Sequence, residues 1–329
     1  MGKHYFITGV NGFLGRTLAR RLLENGNHVS GLRLPGDKFN PVEGVEYYLG
    51  DVSLVYTLGK FMRAAAEKDA VVIHCAGLVS VKEDSDRLWK INVDGTRNIV
   101  DLCEKYQIPK LIYVSSVHAL PEGQKGETIK ETERFSASMA RGAYGKSKAE
   151  ATAYVKKAAE RGLAAVIVHP SGLIGPGDYG KGYMTELLRF YIKHPLPVAV
   201  TGGYDFVDVR DVAEGIIRCA EAEAEGQSYI LSNEYVSIRQ MFELLSEITE
   251  HRKPWGSVPA GWLKPFGGIC ECVMQWMGLP GLITSYSLET LESNGNFSHE
   301  KAEQELGYHT RALKETLADT VQWMRADAG

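Results

Sequence analysis

Short apolar runs alternate with longer amphipathic stretches over the first two-thirds of the chain. Residues 5–8, 29–32, 45–49, 70–75, 111–115 and 164–169 are brief and rich in aliphatic and aromatic side chains, and each predicts a strand. Between them, 12–25, 54–66, 87–106 and 143–161 predict helices. In 87–106, for example, Ile91, Ile99, Leu102 and Cys103 fall near helical spacing. Strands alternating with helices imply crossover units and a parallel sheet. The apolar run 70–75, interrupted only by His74, is that of a strand covered on both faces. The expected fold class is α/β, a doubly wound parallel sheet with a smaller C-terminal region.

After Pro170 the pattern loosens. Residues 170–197 hold many Gly and Pro around one amphipathic segment, 184–193. Residues 212–223 and 238–249 predict helices, 228–231 a strand, and 312–326 a closing helix. Residues 254–281 stand apart, rich in Trp, Gly, Pro, Met and Cys and poor in charge.

Composition narrows the function. The 329 residues are 44% hydrophobic and 24% charged, an ordinary globular balance. A net charge of -4 gives no footprint for nucleic acid or an anionic membrane. No run reaches the ~18 apolar residues of a membrane span, and the N-terminal apolar run is too short for a signal segment. The cytoplasm is the expected location. The five cysteines are scattered, and Cys270 and Cys272 have one residue between them, which is not a redox or zinc pair. They read as reduced thiols packed like small hydrophobes. The nine histidines form no ligand-spaced cluster, so no metal is expected.

The chemistry begins at Thr8-Gly9-Val10-Asn11-Gly12-Phe13-Leu14-Gly15, between the first strand and the first helix. Glycines there permit a tight turn, a close approach of backbone to a pyrophosphate, and tight helix–sheet packing. The helix N-terminus offers free N–H groups to the phosphates. The spacing resembles the Thr-Gly-x-x-Gly-x-x-Gly of extended short-chain dehydrogenases/reductases, a likeness that covers residues 3–250 well and the remainder loosely. It implies a Rossmann-like dinucleotide-binding domain over 1–170, to which 205–235 returns, and a substrate-binding region from 171–204 and 236–329.

A nicotinamide cofactor follows from that resemblance. At the end of the second strand an acid would favour NAD and a base NADP. Arg33 stands there, with Lys38 shortly after, so NADP(H) is favoured and NAD(H) is the alternative. The resemblance implies further cofactor contacts at Asp51 and Val52, at Cys75, Ala76 and Gly77 after His74, at Asn92, and at Pro170, Ser171 and Gly172. From the bare residues, Asp51 reads as a turn or cap and His74 as a satisfied strand-end histidine.

Tyr144 and Lys148 are the sharpest signal. Four residues apart at the start of a helix, they share one face. Hydride transfer at a carbonyl needs a proton donor one way and a base the other. A free Tyr has a pKa near ~10, and a neighbouring ammonium favours its phenolate. In the family the second serine of a pair like Ser115-Ser116 binds the substrate oxygen, which implies Ser116. Ser115 stays open as the alternative, since alternation turns only one of them to the pocket.

The substrate is less legible. His118, His169 and Tyr183 are candidate contacts. Nucleotide-sugar epimerases commonly carry Asn where His169 stands and Arg where Tyr204 stands, so a diphosphate loses two expected partners. The chain looks closer to members resembling dihydroflavonol reductase and 3β-hydroxysteroid dehydrogenase. Trp255, Trp262, Phe266, Met274, Trp276 and Met277 suit either an apolar cover or a core. The expected activity is reduction of a hydrophobic ketone or aldehyde, or the reverse oxidation. The rivals are a nucleotide-sugar epimerase or dehydratase with tightly held NAD and a non-catalytic cofactor-binding sensor. The resemblance also implies a homodimer.

Overall fold

The apolar runs become the centre of a seven-stranded sheet. In a computed structural model, residues 2–37, 41–79, 85–124, 126–180, 182–259, 262, 290–291 and 293–327 are described. Strands β1 (His4–Thr8), β2 (His28–Arg33), β3 (Val45–Leu49), β4 (Val71–His74), β5 (Lys110–Val114) and β6 (Ala165–Pro170) follow the predicted runs closely. With β10 (Ser228–Leu231) they stand in the order β10-β6-β5-β4-β1-β2-β3, every pairing parallel. The chain winds outward from β1 to β3, then restarts beside β1 at β4 and winds the other way. This reversal leaves a crevice beyond the carboxyl ends of β1 and β4, where doubly wound sheets bind ligands.

Helices cover both faces because their apolar stripes have nowhere else to go. On one face, α1 (Phe13–Glu24) and α7 (Val209–Glu221) bury Leu14, Leu18, Leu22, Val212 and Ile216 against Ile7, Ile73 and Val168. On the other, α2 (Gly59–Glu67), α4 (Gly95–Tyr106) and α5 (Gly142–Glu160) bury Phe61, Met62, Ile99 and Val155 against Phe6 and Ile167.

The long helix predicted over 87–106 is not continuous. It runs as α3 (Ser85–Trp89), a π-helical segment at Lys90–Asp94, and then α4. π-segments recur at functional positions, and this one contains Asn92. The helix predicted from 54 likewise begins as a separate short turn, Val55–Thr57, before α2.

The later chain holds strands that local periodicity does not reveal. Strand β9 (Gly203–Asp208) lies between β7 (Gly172–Ile174) and β11 (Glu234–Ser237), while β8 (Val198–Val200) pairs with β12 (Gly256–Val258). They meet α6 (Tyr183–Lys193), α8 (Ile238–Thr249) and α10 (Leu313–Asp327) around a third core of Leu188, Tyr191, Phe206, Met241, Phe242 and Leu317. A shorter helix, α9 (Glu300–Leu306), packs on the first core through Ala302 and Leu306. Asp208 caps α7 by accepting from the Arg210 N–H at 2.8 Å, and Arg210 reaches Asp319 of α10 at 2.7 Å. The closing helix is thus tied to the end of β9 and the start of α7 by a half-buried ion network. Cys103 and Cys219 are buried thiols within the cores and Cys75 is half-buried. No helix among the described residues is long and apolar enough to cross a membrane.

Candidate active site

The glycine turn is built for backbone proximity. Gly9 has φ +69°, and a Cβ there would lie 2.7 Å from the Ala76 nitrogen. A Cβ on Gly15 would lie 2.2 Å from the Gly9 carbonyl oxygen. The turn after β1 therefore sits directly on the turn after β4. Gly12 caps α1 with no side-chain bond, and the first turn of α1 has no acid. The leading N–H groups of the helix keep their positive end for an anion. Backbone packed too closely for any side chain, next to a helix start with no side-chain cap, fits a dinucleotide pyrophosphate.

Around it, the expected cofactor residues take distinct places. Arg33 ends β2, and its Nη1 donates to the Leu34 carbonyl at 3.4 Å. Asp37, which the sequence reading passed over, comes to 3.5 Å from the Asn11 amide. An acid four residues after Arg33 therefore stands against the glycine turn; Lys38 lies outside the described residues. Asp51 accepts from both the N–H and the hydroxyl of Ser53 at 2.8 Å, the turn role its bare sequence suggested. The Val52 carbonyl is held by Asn98 at 2.8 Å. Ser171 turns its hydroxyl away to Asp205, and a Cβ on Gly172 would lie 2.9 Å from the Asp205 carbonyl, so this segment after Pro170 presents main chain.

Asn92 is the hinge between these turns and α5. Its Oδ1 accepts from the Leu78 N–H at 2.7 Å, and its Nδ2 donates to the Leu78 carbonyl at 3.0 Å and to Ser147 Oγ at 3.0 Å. The Ser147 hydroxyl then donates to the Tyr144 carbonyl at 2.7 Å. Ser147 was not anticipated, although it lies inside the Tyr144–Lys148 turn.

Tyr144 and Lys148 are both buried on α5. The Lys148 ammonium donates to the Val114 carbonyl at 2.9 Å and lies 5.3 Å from the centre of the Tyr113 ring. Burial pushes its pKa down to about 8. The two serines part company. Ser115 contacts Thr152 Oγ1 at 2.6 Å, and because the Thr152 hydroxyl is spent on the Lys148 carbonyl, Ser115 is the donor. Ser116 turns the other way, accepting from the His118 N–H at 3.2 Å. The short turn Val117–Ala119 packs on α5, since a Cβ on Gly145 would lie 2.8 Å from the His118 carbonyl.

Beside Tyr144 opens a cleft whose wall includes Val117, His118, Leu120, Ile129, Tyr204 and Phe297. The His118 ring meets the Tyr144 ring edge-on at 5.7 Å, stacks on Tyr204 at 5.5 Å and bonds the Tyr204 hydroxyl at 3.2 Å. Its packing pushes its pKa down to about 4, so it is neutral at pH 7. An ion pair between Arg141 and Glu122 stands at the rim. His169 is fully buried, stacks on Phe135 and bonds the Ser116 carbonyl through Nδ1 at 3.1 Å, while its Nε2 has no partner among the described residues. Tyr183 opens α6 and does not line the cleft. Trp255 and Trp262 are 78% and 71% exposed; Phe266, Met274, Trp276 and Met277 lie outside the described residues.

Comparisons with known proteins bear on the family and the fold. The family model described as NAD dependent epimerase/dehydratase matches residues 5–233. A candidate dihydroflavonol 4-reductase of Synechocystis is 30% identical, over 99% of this chain and 95% of its own. The 3 beta-hydroxysteroid dehydrogenase type 7 of Mus musculus is 28% identical, over 99% and 96%. The crystal structure of gox2253 superposes with a TM-score of 0.84 at 30% identity, covering 99% of both chains.

Proposed function

The chain belongs to the NAD dependent epimerase/dehydratase family, and from that premise we propose that it reduces a ketone or aldehyde on a hydrophobic small molecule, or oxidises the alcohol. The observation that carries the reading is the placement of Tyr144 and Lys148. They share a buried helix face beside an apolar, aromatic cleft, with the turn of Ser116 packed against the same helix.

Gly9, Gly12, Gly15, Arg33, Ala76, Gly77 and the main chain after Pro170 would hold the nicotinamide nucleotide, which supplies or accepts the hydride when bound. Tyr144 gives its phenolic proton to the carbonyl oxygen in reduction and takes it back in oxidation. The neighbouring Lys148 charge favours the phenolate. Ser116 donates a hydrogen bond to the same oxygen and polarises it. Arg33 at the ribose end favours NADP(H), with Asp37 as the opposing charge. Relatives named for a dihydroflavonol and a 3β-hydroxysteroid, and the stacked His118 and Tyr204, support a flat ring-bearing substrate.

Turnover of NADPH or NADH against a panel of ring ketones tests this. Wild type should consume cofactor, and Tyr144→Phe should lose roughly 10²- to 10⁴-fold in rate while still binding it. Retained activity in Tyr144→Phe, or conversion of nucleotide sugars without net cofactor use, would overturn the proposal.

A further inference from the structure

His74 is a buried titratable group that the proposed chemistry does not use. It lies 1% exposed at the end of β4, its ring bonded by two threonines and, among the described residues, by no acid, with the Lys148 charge acting on it. Its Nε2 is 3.1 Å from Thr96 Oγ1, and its Nδ1 is 2.6 Å from Thr8 Oγ1. The Thr96 hydroxyl has one proton, which goes to the Asn92 carbonyl at 2.6 Å. Thr96 can therefore only accept from His74, which fixes a proton on Nε2. In the neutral ring Nδ1 must then accept, so Thr8 donates to it. A lone pair of the Thr8 hydroxyl takes the Ala76 N–H at 3.2 Å. Every polar atom of this buried set is satisfied in one direction only.

The set joins places that matter for catalysis. Thr8 opens the glycine turn, and Ala76 belongs to the turn against which Gly9 packs. Asn92 belongs to the π-helical segment. Through its side chain, the bonds continue to the Leu78 main chain, to Ser147 and to the Tyr144 carbonyl. We propose that His74 is a positioning residue. It pins the π-helical segment through Thr96, so that both nucleotide-binding turns and the catalytic helix are held in one register. Seating of the nucleotide and placement of Tyr144 are then coupled. The role rests on the reading of the glycine turn as a nucleotide cradle, not on any choice of substrate.

The test uses the full chain with ¹⁵N-histidine labelling and NADPH titration. The His74 ring should show protonated Nε2 and bare Nδ1 throughout pH 5–8. Thr96→Val keeps the shape but strands the Nε2–H, and should erase that tautomer preference and weaken NADPH binding about tenfold. Thr96→Ser should restore both. An Nδ1-protonated or titrating His74, or full NADPH affinity in Thr96→Val, would overturn the proposal. If Thr96→Val does not fold, Thr96→Ala removes the same acceptor, and unchanged NADPH affinity there would overturn the proposal equally. Failure to find a carbonyl substrate would leave the spectrum and the titration unchanged, so the two readings fail separately.

Discussion

Ser115 and Thr152 share a 2.6 Å hydrogen bond that takes Ser115 out of the candidate active site. The Thr152 hydroxyl donates to the Lys148 carbonyl, so the pair braces α5, while the Ser116 hydroxyl turns to the His118 N–H of the next turn. Ser116→Ala should lower turnover by about 10²-fold, the usual loss for one donor to a reacting oxygen. Ser115→Ala should cost about 1 kcal/mol of stability and little rate. Steady-state rates and melting of the two variants check this; the reverse ranking would reassign the serine.

Gly9→Ala should abolish cofactor binding. The residue has φ +69°, and its new Cβ would press on the Ala76 backbone, which cannot step aside without moving β4. Gly26→Ala is the control. Gly26 has φ +76° but open space around it, so only the backbone preference is lost, about 1–2 kcal/mol. Fluorescence titration of NADPH alongside thermal melts separates the two effects.

Arg33→Asp should weaken NADPH binding by roughly 10- to 100-fold, the value of a charge-assisted phosphate contact, and leave NADH binding nearly unchanged. Because Asp37 already stands near Asn11, Asp37→Asn should tilt preference further toward NADPH. Equal losses for both nucleotides in Arg33→Asp would remove the 2′-phosphate assignment.

Asp205 gives a pH signature. Burial pushes its carboxyl up to about 6, against hydrogen bonds from Ser171 and the Asn233 N–H. The unfolded chain releases this proton near the usual 3.8, whereas the folded chain keeps it to about 6. Stability therefore falls as pH rises from about 4 to 6, by on the order of 3 kcal/mol, and stays lower above. Asp205→Asn keeps an acceptor for both donors and should gain on wild type across that window. Melting temperatures from pH 4 to 8 would show it; a constant difference between the two proteins would refute it.

The sequence by itself determined the alternation of strands and helices, the glycine turn and the spacing of Tyr144 and Lys148. Those signals are local. Periodicity reports which face of one element is covered, and a four-residue helical step needs no other part of the chain. Only the tertiary structure decided what depends on distant partners. His118 stacks on Tyr204, 86 residues away. Asp37 returns to Asn11, and β9 finds β7 and β11, through chain reversals that composition does not encode locally. The π-helical segment at Asn92 is of the same kind. An uninterrupted helix is what its spacing predicts, and the bonds that meet it there, from Leu78 and Ser147 to Asn92 and from His74 to Thr96, come from packing rather than from neighbours in sequence.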